Sequence, residues 1–286
     1  DIGHTPFGHA GERILSSLYQ EHTGRYFNHN VHSVRVLDDM VNWNISLQTL
    51  DGILCHNGEL ELKEYRPCEM STFVEYDKKV EACYVDEKAI GELIPCTLEG
   101  CVMRICDIIA YLGKDRQDAM RLNLLKESPF TAGAIGTSNG EIINNFSVNI
   151  IENSYGKDYL KMDEEYFDAL RQAKKENYEM IYNNKSLNDL YENEIRPMFG
   201  ELYEELLRQA ESGDKSSVFY RHHMAYMEKN NFYVKSHVRK PYAEQEKNQL
   251  VVDYLASMTD DYFIALYHYL FPKGKHDVKF VGYFDL

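Results

Sequence analysis

The chain has 286 residues, of which 44% are hydrophobic, so it can bury a large core as one domain or as a main domain with a smaller lobe. Its 31 basic and 46 acidic side chains give a net charge of −15, which argues against a general nucleic-acid-binding surface. The six cysteines form no CxxC pair, so we expect buried thiols in a reducing cytoplasm instead of a disulfide framework. No apolar run reaches the roughly 18 residues that a membrane span needs, so we expect no membrane partner.

Helical periodicity dominates the chain after a glycine- and proline-rich opening. Helices are predicted over residues 13–20, 28–43 with Asn28 as N-cap, 97–125 with a break near Gly113, 163–182, 187–211 with a kink at Pro197, and 250–270. Residues 55–95 are predicted to be rich in loops, 141–151 to be a short strand or the start of a helix, and 278–284 to be a strand. The sequence therefore predicts an all-α fold with minor short β elements.

The opening segment, DIGHTPFGHAGE, carries more chemistry than any other part of the chain. His9 and Glu12 lie three residues apart at the start of a predicted helix, so they share one of its faces. A carboxylate that accepts a hydrogen bond from one imidazole nitrogen fixes the tautomer and raises the basicity of the other nitrogen. This spacing is typical of general acid–base chemistry, and His29 adds a third imidazole nearby.

Histidines are concentrated in this part of the chain. Five of the eleven lie within the first 32 residues, namely His4, His9, His22, His29 and His32. A single histidine is more often structural than functional, but packing alone does not require such a density. We assign structural roles to His22 and His32 and expect functional roles for His4, His9 and His29.

The predicted helix over 97–125 carries acidic and aromatic residues at every fourth position, namely Asp107, Tyr111 and Asp115, which fall on one side of the helix. If Asp107 points inward it needs a partner, because an unpaired buried carboxylate is costly, and a metal ion is one such partner. The alternative is an outward face on which Lys114 and Arg116 form surface charge pairs. Periodicity alone leaves both alternatives open.

The opening segment resembles the HD-domain deoxyguanosine triphosphate triphosphohydrolases, as do the segments FNHN at 27–30, TLEGCVMRICDIIAY at 97–111 and VDYLASMTD at 252–260. The resemblance runs from residue 1 to about residue 272. It implies that Asp1 and Asp107 bind a divalent ion (Mg²⁺, Mn²⁺ or another transition metal), together with two histidines expected upstream of Asp1. It also implies catalytic roles for His9, Glu12 and His29. The substrate-binding residues it implies are His4, Tyr111 and Asp115.

We therefore expect a metal-dependent enzyme that hydrolyses deoxynucleoside triphosphates, with dGTP favoured, to a deoxynucleoside and inorganic triphosphate. The catalytic HD core is expected at 1–130 and a helical region that packs on it at 131–286. The implied partners are the nucleotide and further copies of the chain, with nucleic acid only as a regulator, in the cytoplasm. The alternatives are another HD-domain phosphohydrolase, such as a nucleotidase or phosphodiesterase, and a non-catalytic nucleotide-binding regulatory protein.

Overall fold

The structure is a computed structural model that describes residues 1–41, 43–56, 61–122, 124–125, 130–131, 133–230 and 241–278. Helices form most of the described chain, and the two short strands β1 (Glu64–Tyr65) and β2 (Leu160–Lys161) form one antiparallel ladder. In its register Glu64 faces Lys161 and Tyr65 faces Leu160. The predicted all-α class with minor β elements is confirmed.

The described α-helices, in chain order, are α1 (Gly8–Thr23), α2 (His29–Arg35), α3 (Leu47–Leu54), α4 (Phe73–Val85), α5 (Leu98–Arg121), α6 (Asn139–Ser154), α7 (Glu164–Asn177), α8 (Lys185–Leu190), α9 (Arg196–Ser212), α10 (Ala225–Asn230), α11 (Lys247–Ala256) and α12 (Asp260–Leu270). Wider, π-helical turns extend several of them, at Val36–Met40, Tyr178–Tyr182, Tyr191–Ile195 and Phe219–Met224. Short 3₁₀ turns lie at Ala89–Glu92 and Tyr242–Glu244.

The helix boundaries confirm part of the sequence prediction. Asn28 is the N-cap of α2, and its side chain accepts a hydrogen bond from the backbone N–H of Asn30. Residues 141–151 are helical, because Ser138 and Glu141 form a capping box that starts α6. Pro197 lies in the first turn of α9, where the missing amide donor costs nothing.

Two helix predictions are wrong. The helix α5 is continuous through Gly113, where the glycine serves packing: a Cβ there would lie 2.7 Å from the Cα of Asn139. The predicted helix over 250–270 is two helices, because Thr259 caps a new one by accepting from the Tyr262 N–H. The strand predicted over 278–284 lies outside the described residues except for Val278.

The chain forms two compact units, and it passes between them several times. The first comprises Asp1–Ile45, Val80–Glu87 and Asp189–Leu286, and the second Ser46–Lys79 and Lys88–Asn188. In the first, α9 packs against α1 and α11; in the second, α5 packs against α3, α6 and α7. The predicted division into a catalytic core at 1–130 and a following helical region stays a prediction.

All six cysteines are free thiols. Within the described part of the chain, no helix combines the length and the apolar character that crossing a bilayer requires.

A buried ion pair joins α2 to α11 in the first unit. The guanidinium of Arg35 donates through Nε and Nη2 to the two carboxylate oxygens of Asp253, at 2.6 Å each, and Asp253 is fully buried. Burial raises the pKa of Asp253, but the charge of Arg35 more than offsets this and holds the pKa below its ordinary value. Removing one partner from such a pair typically costs about 3–5 kcal/mol, because the other charge remains buried.

Two buried histidines complete this network. The Tyr242 hydroxyl donates to Asp253 at 2.9 Å and so accepts from Nε2 of His223 at 2.7 Å. Nδ1 of His32 lies 3.8 Å from the Asp253 carboxylate. Burial lowers the pKa of both imidazoles, each to about 4.

These two histidines predict a dependence of stability on acid. The unfolded chain takes up their protons below about pH 6.5, whereas the folded chain keeps both rings neutral down to about pH 4. The free energy of unfolding should therefore fall as the pH falls through this range, with a slope of about 1.4 kcal/mol per pH unit for each histidine. Urea denaturation at pH 5, 6 and 7 measures the slope. The variant His223→Phe should flatten it, and His268→Phe, at an exposed position, should not. Equal slopes in all three proteins would contradict the prediction.

Candidate functional site

Three imidazoles and one carboxylate from the opening segment and α2 meet in the first unit. The ring centroids of His4, His9 and His29 lie 4.8–5.3 Å apart. One ligand-type atom from each of these rings and one from Glu12 all lie within 4.8 Å of one another. The structure therefore brings together the three predicted catalytic residues and the predicted substrate residue His4.

Glu12 is the centre of this cluster. Its Oε1 accepts from the backbone N–H of His29 at 2.8 Å and from Nδ1 of the same ring at 2.9 Å. Its Oε2 accepts from Nδ1 of His9 at 3.1 Å. An ionised carboxylate can only accept, so both Nδ1 atoms carry protons and both Nε2 atoms are directed away from Glu12. One buried acid thus fixes the tautomer and the orientation of two imidazoles.

The electrostatics keep Glu12 ionised. Burial raises its pKa, but the hydrogen bonds from His29 and His9 more than offset this and hold the pKa well below its ordinary value. Burial lowers the pKa of His4, and the two neighbouring imidazoles lower it further. The side chain of His9 is 50% exposed, whereas that of His29 is 9% exposed, so His9 is open to a substrate.

Local sequence explains how these groups meet. The backbone N–H of Gly3 donates to Oγ of Ser33 at 2.9 Å, which ties the chain before His4 to α2. Gly11 lets α1 lie directly against the preceding loop, because a Cβ there would lie 1.9 Å from the carbonyl oxygen of Pro6. The residues before α1 are thus tied to α2 and packed closely against α1.

Asp1 and Asp107, the predicted metal ligands, lie in different units. Asp1 is exposed, and one of its carboxylate oxygens lies within 4.8 Å of a ring nitrogen of His29. Asp107 is half-buried on α5, flanked in sequence by the buried Ile108. Carboxylate and imidazole donors suit Mg²⁺, Mn²⁺ and other first-row divalent ions, so the residue types fit the implied metal. That the two aspartates bind one ion stays a prediction.

The predicted substrate residues Tyr111 and Asp115 lie on α5 in the second unit. The structure adds Tyr182 to them, since its hydroxyl donates to a carboxylate oxygen of Asp115. Burial raises the pKa of Tyr182, and so does this carboxylate. No sequence signal indicated Tyr182, because it lies 67 residues after Asp115 in a π-helical turn.

The positive charges near this part of α5 have different environments. Arg116 is buried, donates to Oδ1 of Asn177 at 2.8 Å, and lies 4.0 Å from the ring centroid of Phe130. The expectation that it forms a surface charge pair is therefore wrong, because its guanidinium is buried and donates to Asn177 and Glu176 inside the second unit. Lys114 does form an exposed pair, with Asp118 at 2.5 Å.

A second basic region lies in the first unit. Arg221 and Lys229 line an open cleft of about 680 Å³ together with Tyr226, Tyr254 and Tyr262. Lys229 follows Arg221 by eight residues, and no sequence signal indicated it.

Part of the chain matches a domain found in known proteins. Residues 160–269 match the phosphohydrolase-associated domain. In this match and in its all-α fold, the chain is similar to the HD-type phosphohydrolases.

Individual proteins that are similar to this chain share one name. A deoxyguanosinetriphosphate triphosphohydrolase-like protein of Caldanaerobacter subterraneus subsp. tengcongensis is 26% identical over 95% of this chain and 65% of its own length. One of Desulfatibacillum aliphaticivorans is 24% identical over 95% of this chain and 68% of its own length. One of Rhodopseudomonas palustris is 34% identical over 47% of this chain and 36% of its own length. The chain is similar to these dGTP triphosphohydrolase-like proteins and spans about two thirds of the length of the first two.

The close contact at Gly11 predicts that adding one methyl group there destabilises the fold. Gly11→Ala should lower the free energy of unfolding by at least about 2 kcal/mol, because the new Cβ would overlap the Pro6 carbonyl oxygen. Gly200→Ala in α9 is the matched control, since a Cβ there meets no described atom within 4 Å. It should raise stability by about 0.5–1 kcal/mol through helix propensity. Chemical denaturation compares the two, and a Gly11→Ala variant as stable as the wild type would contradict the prediction.

Proposed function

We propose that this protein is a metal-dependent deoxynucleoside triphosphate triphosphohydrolase that favours dGTP. The observation that carries the proposal is the Glu12 carboxylate, which accepts from both His9 and His29 and directs their Nε2 atoms away from itself. The names of the relatives and the phosphohydrolase-associated domain support the class of reaction.

In the proposed reaction, water attacks the α-phosphorus and the bond from that phosphorus to the 5′ oxygen breaks. His9 protonates the departing 5′ oxygen, since its ring is exposed and Glu12 orients it. The products are a deoxynucleoside and intact tripolyphosphate. His4 and His29 are proposed to contact the α-phosphate oxygens and to stabilise the negative charge that develops there.

Asp1 and Asp107 are the proposed residues of this chain that hold the divalent ion. When bound, the ion supplies positive charge that lowers the pKa of a nearby water and offsets charge on the phosphate. Glu12 has a different role, because both its oxygens already accept hydrogen bonds from the two imidazoles. Its task is to orient those rings.

Tyr111 and Asp115 are proposed to lie near the sugar and phosphates. A tyrosine ring against the sugar edge leaves no room for a 2′ hydroxyl, which would discriminate deoxynucleotides from ribonucleotides without a further hydrogen bond. The Tyr182 hydroxyl, which donates to Asp115, holds that carboxylate in place for this role. A homo-oligomer stays a prediction.

The reaction products separate the proposal from its alternatives. Incubation of the full natural protein with dGTP and Mn²⁺ or Mg²⁺ should release deoxyguanosine and tripolyphosphate in equal amounts, resolved by ion-exchange chromatography. EDTA should abolish release and added metal should restore it. Orthophosphate or pyrophosphate as the first product would indicate another HD-domain phosphohydrolase. Nucleotide binding without turnover would indicate a regulatory protein.

The role of His9 predicts a second outcome. His9→Asn should lower kcat for dGTP by about 10²–10⁴-fold, because the 5′ oxygen would leave without a proton donor. Glu12→Gln should also lower kcat, since an amide can donate to Nδ1. The ring would then be held in the wrong tautomer, with its proton on Nε2 instead of Nδ1. His268→Asn, at an exposed position outside the cluster, is the control. A His9→Asn variant with wild-type kcat would remove His9 from the reaction.

A further inference from the structure

The turn between His4 and His9 has an unusual backbone. Phe7 has φ 61° and ψ 27°, and the next residue, Gly8, has φ 59°. Among the described residues, Phe7 is the only non-glycine with a positive φ. Left-handed backbone is unfavourable for an aromatic L-residue, so the surrounding structure must hold Phe7 in place.

Two contacts with α12 hold this turn. The backbone N–H of Phe7 donates to Oδ1 of Asp260, the first residue of α12, at 2.8 Å. The ring of Phe7 packs edge-on against Phe263, one turn further along α12, with centroids 5.3 Å apart at 89°. The ring also meets Phe199 of α9 at 6.2 Å. The opening segment is thus tied to a helix more than 250 residues away.

The turn decides how far apart two site imidazoles lie. His4 precedes it and His9 follows it, and five residues of extended chain span roughly 17 Å. In the structure, the two ring centroids are 5.1 Å apart. Folding the backbone back at Phe7 and Gly8 is what brings His4 to His9, so whatever fixes Phe7 also fixes this spacing.

The position of Asp260 has an ordinary explanation that can be tested separately. An acid in the first turn of a helix interacts favourably with the helix dipole, and Asp261 occupies the same turn. The dipole accounts equally for both acids. The hydrogen bond to Phe7 belongs to Asp260.

We propose that Asp260 is a positioning residue for the reaction: through the Phe7 N–H it holds the turn that places His4 beside His9. The assignment rests on the proposed function, because it concerns the geometry of that same site. Asp260 lies within the phosphohydrolase-associated domain, which gives that domain a part in assembling the site.

The test compares three variants of the full protein. Asp260→Ala removes the acceptor, Asp260→Asn keeps an acceptor oxygen but loses the charge, and Asp261→Ala removes the neighbouring charge of the same turn. Steady-state kinetics with dGTP give kcat and KM. Spectra of ¹⁵N-labelled histidine side chains without nucleotide report the surroundings of the His4 and His9 rings, and melting temperatures check that each variant folds.

We expect Asp260→Ala to lower kcat by about 10–100-fold while KM changes by less than about 3-fold, since a small misplacement of reacting groups acts mainly on the chemical step. Asp260→Asn should retain kcat within about 3-fold, and Asp261→Ala should match the wild type, because the hydrogen bond is kept or untouched. The ring signals of His4 and His9 should shift in Asp260→Ala alone.

Two results would overturn the assignment. One is an Asp260→Ala variant that matches Asp261→Ala in kcat and in its histidine spectra. The other is an Asp260→Asn variant as impaired as Asp260→Ala, which would show that charge acts and the hydrogen bond does not. If the wild type fails to release tripolyphosphate, the proposed function fails alone, because the histidine spectra still decide whether Asp260 positions the rings.

Discussion

A buried, ionised carboxylate organises the candidate site. Glu12 accepts three hydrogen bonds from two histidines, and those bonds outweigh the cost of burying its charge. Because a carboxylate cannot donate, both rings must present their protonated Nδ1 atoms to it. The Nε2 atoms of these two rings are therefore directed away from Glu12, with the His9 ring exposed and the His29 ring enclosed.

The scaffold around this carboxylate consists mainly of late parts of the chain. Helix α2, which carries His29, is joined to α11 by the Arg35–Asp253 pair, and the turn before α1 is bonded to α12. Both α11 and α12 lie within or overlap the phosphohydrolase-associated domain. A domain that contributes none of the four clustered side chains therefore contributes their support. Such support matters because catalytic groups need to be held within a fraction of an ångström.

Much of this could be predicted from the sequence, for local reasons. The helices, the Asn28 cap and the pairing of His9 with Glu12 follow from periodicity and from short spacings that a helix converts into neighbours. The break between α11 and α12 was missed because apolar spacing continues across Thr259, and only the cap marks the new helix. Tyr182 and the buried state of Arg116 depend on partners more than 60 residues away, which periodicity cannot encode.

The alternation of the chain between its two units sets an order of assembly during synthesis. The histidines of α1 and α2 leave the ribosome before α9 and α11, yet α1 packs against both of these helices, which follow about 170 residues or more behind the end of α1. Until those helices emerge from the ribosome, the apolar face of α1 lacks the two helices that it packs against. The second unit can already fold around its own core. The candidate site therefore reaches its final form only after these later helices have been made, although its residues precede them in the chain.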